Sequence, residues 1–394
     1  MDIARARYLA SPAGRAALAE LPPAAVRADP NKLVSALRKS YPPAEASALS
    51  EQAILIARAS ARFGNAQRAM LLTGPGLEMM THPAIARRRA ERLTALGLPI
   101  ADLTCGLGGD LGPCTAGGLR AVGVERDRAT AILARANIPA ASLVVGDAAR
   151  PPLHIEEHAI ILDPSRREGA RRTFDPAAFS PGWDTCLDLA STARAAVLKA
   201  PPGIDHARIP ASAEMEAVQF GAGLREITIW SGAGAVPGLR RAVLLPAGAF
   251  LTSVEAEAPP ETVPAGVFVF DPESCVTRAG LVRHLGHRLG ARMLDEQVAY
   301  LTADTPSFDP MAATFEVLEV TPFSVRRLKE TLRAHHWRPA EIRRRAFPIE
   351  PDDLLRLLGR IEGEEITLLC TTIAGARTVI VARRIRPPSS PAGA

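Results

Sequence analysis

Ile100-Ala-Asp-Leu-Thr-Cys-Gly-Leu-Gly-Gly-Asp110 decides how the rest of this 394-residue chain is read. A short apolar strand pattern runs out at Asp102 and Leu103, glycines follow at 106, 108 and 109, and a helix can begin near Asp110. A strand, a tight glycine turn and a helix N-terminus in succession let a ligand approach bare backbone. Glycine lacks a Cβ and tolerates positive φ, and the first turn of a helix has unpaired N–H groups. Alone, such a turn serves helix–strand packing as readily as ligand binding.

Three more strand patterns follow, and each also ends on an acid. Leu119-Arg-Ala-Val-Gly-Val-Glu125 ends on Glu125, Ala141-Ser-Leu-Val-Val-Gly-Asp147 on Asp147, and His158-Ala-Ile-Ile-Leu-Asp-Pro-Ser-Arg-Arg167 exits through Asp163 and Pro164. Glu125 stands about twenty residues past the turn, the spacing at which a doubly wound fold holds ribose hydroxyls. Carboxyl ends of parallel strands form the ligand edge of open α/β sheets.

These four stations resemble those of the class I S-adenosylmethionine-dependent methyltransferases. The resemblance implies S-adenosylmethionine as cofactor, with Asp102, Gly106 and Gly108 under its methionine part, Glu125 on the ribose and Asp147 on the adenine. A nicotinamide dehydrogenase would more typically carry a third glycine two residues beyond Gly108, where this chain has Asp110. Many methyltransferases of exocyclic base amines have Asp/Asn-Pro-Pro-aromatic after the fourth strand. Here Asp163-Pro164-Ser165-Arg166 has no aromatic platform, and an arginine plane can stack on a base or bind phosphate instead. Asp163 is expected to align the acceptor with help from Pro164. Arg166, Arg167 and Lys199 are expected either to hold an anionic substrate or base edge, or to order the loop from Gly169 to Asp184 by salt bridges. The uracil-5 RNA methyltransferases need a cysteine after the next strand. Leu198-Lys-Ala-Pro-Pro202 stands there, so a covalent carbon-methylation route is not expected.

A narrower similarity covers Leu77 to Arg384: bacterial class I methyltransferases with a ferredoxin-like segment and a C-terminal THUMP-like domain. It rests on Asp163-Pro-Ser-Arg-Arg167, Lys199-Ala-Pro-Pro-Gly-Ile-Asp205, Phe270-Asp-Pro-Glu-Ser-Cys-Val-Thr-Arg-Ala-Gly-Leu281, Phe347-Pro348 and Leu368-Leu-Cys-Thr-Thr-Ile-Ala-Gly375. The expected architecture is α/β. Alanine-rich, proline-broken segments without a strand pattern read as a helical N-terminal domain (1–97), and a Pro/Ser/Ala end as a disordered tail (387–394). The resemblance implies a Rossmann-like seven-stranded methyltransferase sheet (98–258), a ferredoxin-like segment (265–312) and a small THUMP-like α+β domain (313–386).

Composition agrees with a globular chain of two or three domains, 47% hydrophobic and 23% charged. No apolar run is long enough to span a bilayer and no signal pattern opens the chain, so a cytoplasmic protein without membrane contact is expected. Five scattered cysteines and eight histidines without ligand spacing predict neither disulfides nor a metal site. The net charge of +5 is C-terminal: Thr321 to Arg386 holds 14 Lys and Arg against 8 Asp and Glu, a surplus of 6, leaving −1 elsewhere. Together with the resemblance to THUMP domains, which help enzymes grip RNA, this surplus makes RNA the expected partner, through Arg326, Arg327, Arg343 and Arg345; the alternative is a generally arginine-rich surface. Strand alternation sends Arg344 to the other face. The alternatives are a small-molecule or protein substrate, or an RNA-binding protein that retains the cofactor fold without turnover. Before the first strand, the helix carrying Arg87-Arg-Arg89 presents either a solvated face or, through Thr81 and Arg87, the rim of the cofactor pocket.

Overall fold

The computed structural model describes residues 1–21, 30–64, 70–165, 167–168, 171–172, 175 and 178–387. They form two compact units, Met1–Glu214 with Glu226–Gly238, and Met215–Arg225 with Leu239–Ala394. No described helix is long and apolar enough to cross a membrane.

The first unit opens with helices α1 (Ile3–Ala10), α2 (Pro12–Glu20), α3 (Pro30–Leu37), α4 (Pro43–Phe63), α5 (Gly74–Met79) and α6 (Pro83–Thr94). Five of them have proline in their first turn, where its missing N–H costs nothing. Then follow β1 (Ile100–Asp102), α7 (Leu111–Ala116), β2 (Ala121–Glu125), α8 (Arg128–Asn137), β3 (Ser142–Val145) and β4 (Ala159–Leu162). The two-residue strands β5 (Arg167–Glu168) and β6 (Arg171–Arg172) lead to α9 (Trp183–Thr192) and β7 (Ala195–Ala200). The strands β8 (Glu214–Phe220) and β9 (Gly223–Gly232) come next, with residues 226–232 of β9 in this unit.

Within this unit the strand order is β9-β7-β4-β1-β2-β3, parallel except for β9, which runs against β7. The chain leaves β1 for β2 and β3 on one side, then returns to β4 and β7 on the other. That reversal makes the carboxyl ends of β1 and β4 the switch point where such sheets bind ligands. Strands β4 and β7 are buried along their whole length, as parallel strands covered on both faces must be.

The N-terminal helices are not a separate body. Leu9, Leu49, Leu71 and Leu72 share one core with Leu107 of the glycine turn and with Ala129 and Leu133 of α8. The Asn137 amide stitches the layers, accepting the Leu71 N–H at 2.7 Å and donating to the Leu71 and Leu107 carbonyls at 3.0 and 3.1 Å.

The second unit contains β8 and β10 (Arg240–Leu245) in parallel, with β11 (Ala249–Thr252) antiparallel to β10. It continues through β12 (Phe268–Pro272), α10 (Ser274–Ala279), α11 (Val282–Leu289), β13 (Arg292–Asp295), β14 (Val298–Ala303) and β15 (Ala312–Pro322). Helix α12 (Val325–Ala334), β16 (Trp337–Arg344), α13 (Pro351–Leu358), β17 (Glu364–Ile373) and β18 (Ala376–Ile385) complete it. A single seven-stranded sheet, β13-β14-β12-β15-β18-β17-β16, runs through both the segment read as ferredoxin-like and the segment read as THUMP-like. The eleven-residue β15 pairs with β12 on one edge and β18 on the other, so a boundary at 312/313 cuts at the start of a shared strand. Asp271 and Pro272 form the end of β12. Helices α10 and α11 are separated at Gly280, which is left-handed at φ 66°. Ala374 and Gly375, both at positive φ, make the two-residue turn between β17 and β18 that the sequence indicates. Most of the expected tail, 388–394, lies outside the described residues.

Candidate active site

Between β1 and α7 the glycine turn is shaped by its backbone. Gly106 and Gly108 have φ of 55° and 90°, and a Cβ on Gly108 would meet Ile138 Cδ1 at 2.0 Å. Any side chain at Gly108 would be strained by the left-handed conformation and would have to push the Ile138 side chain aside. Glu125, half-buried at the end of β2, accepts the Gly106 N–H at 3.0 Å and the Asp127 N–H at 2.7 Å. Asp147 is exposed beyond β3 and accepts the Ala149 N–H at 2.9 Å. Glu125 is in register with Val145, so the two acids follow neighbouring strands on one sheet edge.

Asp102 accepts the Thr104 N–H at 3.1 Å, and Thr104 Oγ1 accepts the Asp163 N–H at 2.6 Å. A residue of the turn after β1 thereby fixes the exit of β4. Beyond buried Pro164, Ser165 and Ser180 exchange backbone hydrogen bonds at 2.8 and 3.0 Å, which pin the start of the following loop. Arg166 lies outside the described residues. The backbone of Arg167 pairs in β5 with Arg172.

Behind these groups is a buried network of charges. Lys199 Nζ, on a side chain only 7% exposed, donates to Thr81 Oγ1 at 2.6 Å, Asp163 Oδ2 at 2.5 Å and Asp110 Oδ2 at 3.2 Å. Thr81 donates in turn to Asp110 Oδ2 at 2.7 Å. Arg89, at 3%, donates to both Asp110 and Glu226. Two cations thus face the three carboxylates Asp110, Asp163 and Glu226. Burial works against the charge on Asp110, yet Arg89 and Lys199 hold its carboxyl down to about 2. At Asp102 burial, reinforced by Asp110, outweighs the Thr104 N–H and Lys199 and pushes the carboxyl up to about 8.

The raised carboxyl gives a signed expectation. A folded value near 8 against about 3.9 for a free aspartate means that burying Asp102 is easiest at low pH, and that stability is lost as pH climbs from about 4 to about 8. Asp102→Asn, neutral at every pH, should therefore gain melting temperature relative to wild type across that window. A difference between the two proteins that stays flat from pH 4 to 8 would mean that Asp102 is ionised throughout.

Several of these groups escape a sequence reading. Lys199 does not face outward to grip an anion; its three donors are taken by neighbours. Of the arginines on α6 it is Arg89 that enters the network, whereas Arg87 is exposed; Thr81 is buried within the network and not on a rim. Asp110, Glu226 and Thr104 carried no local signal for these partnerships.

In the second unit Arg326 and Arg327 are exposed at the start of α12, without an ion-pair partner among the described residues. Arg343 in β16 and Arg345 just past its end converge on one carboxylate: both pair with Asp271, at 2.7 and 2.8 Å. Arg344 pairs with Glu350 at 2.5 Å. Among the described residues no group of three or more His, Cys, Asp and Glu is arranged to hold a metal ion.

Comparison with known proteins matches residues 312–384 to the family described as THUMP domain-like, and residues 2–59 to a domain of unknown function. Uncharacterized S-adenosylmethionine-dependent methyltransferases of Mycobacterium tuberculosis, from strains H37Rv and CDC 1551, are each 35% identical over 326 residues. Those residues are 80% of this chain and 89% of each relative. The crystal structure of a methyltransferase candidate from Porphyromonas gingivalis W83 superposes with a TM-score of 0.74 over 98% of both chains, at 21% identity. That last likeness is one of fold.

Proposed function

The chain belongs to the class I S-adenosylmethionine-dependent methyltransferases, and from that premise we propose that it methylates a base in RNA, in the cytoplasm, without a covalent enzyme intermediate. One juxtaposition carries the reading: a carboxylate-and-proline exit at Asp163-Pro164 in the same chain as a segment similar to THUMP domains. S-adenosylmethionine brings a sulfonium methyl that is already reactive, so alignment is what the protein has to supply.

The residues present suit that cofactor. The open side of Gly106 would take its methionine end beside Asp102, with Gly108, whose own open side is filled by Ile138, shaping the turn; Glu125 would meet ribose hydroxyls and Asp147 the adenine. The surplus of carboxylates over cations in the buried network favours a cationic ligand. Asp163 has a side chain 32% exposed, enough to meet an acceptor, and Pro164 stiffens the backbone beside it. Arg166 and Arg167 follow directly and would take a base face or a phosphate. All five cysteines are buried, and burial pushes Cys114, Cys186, Cys275 and Cys370 up to about 12 and Cys105 well above the usual thiol range. None suits a thiolate nucleophile.

RNA binding in this reading rests first on Arg326 and Arg327. Deleting residues 313–386 would remove strands from a shared sheet, so charge removal is the cleaner test. Arg326→Ala with Arg327→Ala should lower the slope of log affinity against log salt by about 1 to 2, with S-adenosylmethionine binding unaffected. An unchanged slope would free these arginines of any phosphate contact. A second reading, methylation of a small molecule or protein, gains support from Arg343 and Arg345, whose two charges are met by Asp271 and Glu341.

A further inference from the structure

The Asp163 carboxylate is asymmetric in its surroundings. Oδ2 is bonded to Lys199 at 2.5 Å, while no described residue donates to Oδ1. Lys199 cannot turn away, because its other two hydrogens go to Thr81 and Asp110. Asp110 is gripped by Arg89, and Arg89 by Glu226, so the chain of contacts ends on β9, two strands from β4. From this geometry we infer that Lys199 is the positioning residue that turns Asp163 into a one-sided hydrogen-bond acceptor, and that the methyl acceptor must therefore bring a hydrogen to Asp163 Oδ1. Where the acceptor is a base, as proposed above, that hydrogen belongs to an N–H, foremost an exocyclic amine. A ring nitrogen that offers only a lone pair would meet a carboxylate oxygen with nothing to donate, and is disfavoured.

The transfer balances simply. The acceptor nitrogen bonds to the methyl carbon as the carbon–sulfur bond breaks, the bonding pair stays on sulfur, and the hydrogen held at Oδ1 leaves from there to solvent. Lys199 takes no part in that exchange. With three hydrogen bonds and no free lone pair, it acts only through the carboxylate.

This inference rests on the reading that Asp163 faces the acceptor, and the two can fail separately. Sinefungin carries an amine where the cofactor carries its methyl sulfonium, so it presents an N–H donor without any RNA. S-adenosylhomocysteine lacks that group and serves as the control in each variant. By calorimetry the full-length protein should prefer sinefungin over S-adenosylhomocysteine by about tenfold or more, the range of a hydrogen bond to a charged acceptor. In Asp163→Asn, Lys199 still demands an acceptor on its side and turns the amide NH2 outward, so the preference should fall to about twofold or less. Adding Lys199→Met removes one cation from a network that has already lost one anion. It also releases the Asn amide to present its oxygen, so the double variant should regain several-fold preference over Asp163→Asn. A role in stability alone would not produce that rescue.

A preference unchanged in Asp163→Asn removes Asp163 from the acceptor position and overturns both readings of it. Loss in Asp163→Asn with no recovery in a double variant that still binds S-adenosylhomocysteine overturns the role of Lys199 and leaves Asp163 at the acceptor. The single variant keeps Lys199, Asp110 and Arg89 intact, so its result is decisive on the first point even if the double variant does not fold.

Discussion

Asp163→Ala is expected to bind S-adenosylmethionine within a few-fold of the wild-type affinity while methyl transfer falls by about a hundredfold or more, the pattern of an interaction made with the reacting group. Its carboxylate stands at the switch point of the sheet, beside the glycine turn but on the opposite flank from Glu125 and Asp147. On the proposed assignment, cofactor and acceptor contacts can thus be separated by mutation. Two measurements are needed, calorimetry for the cofactor and single-turnover transfer for the chemistry. Equal losses in both would make Asp163 a cofactor residue.

The largest effect on stability is expected from Arg89→Met. Its side chain is 3% exposed and is the only described cation paired with Glu226, whose side chain is 10% exposed; Asp110 would keep Lys199 alone. Breaking a buried pair by removing one partner leaves the other charge stranded, which costs about 3 to 5 kcal/mol. In a unit of this size that is a drop in melting temperature on the order of 10 °C. Arg87→Met, two residues earlier on the exposed side of α6, should stay within about 0.5 kcal/mol of wild type. If thermal melting gave similar values for the two variants, the network would be contributing little to stability.

The contrast between Arg87 and Arg89 shows how far local sequence carries. The buried residues of α6 are Ile85, Ala86, Arg89, Ala90 and Leu93, a helical stripe on which Arg89 falls in register and Arg87 does not. That periodicity was available in the sequence; the identity of the partners was not, because Asp110 and Glu226 lie 21 and 137 residues away. Strands ending on Asp102, Glu125 and Asp163 were legible because each is short, apolar and closed by an acid before a turn. β8 was not, since Glu214-Met-Glu-Ala-Val-Gln-Phe220 carries acids that read as solvated. In the fold both are buried, Glu214 paired with Arg92 at 2.6 Å and Glu216 near Arg241 at 3.5 Å. The ferredoxin-like and THUMP-like segments looked separable because sequence shows which residues extend but not which strands they pair with. β15 joins them through long-range pairing to β12 and β18.

The most direct measurement of the central claim is mass spectrometry of nucleosides from RNA digested out of cells with and without this protein. One methylated nucleoside, with its methyl on a nitrogen that carried a hydrogen, should be absent from the cells lacking the protein and return when wild type, but not Asp163→Ala, is restored. Identical nucleoside profiles in the two sets of cells would contradict an RNA substrate and turn the search to proteins and small molecules.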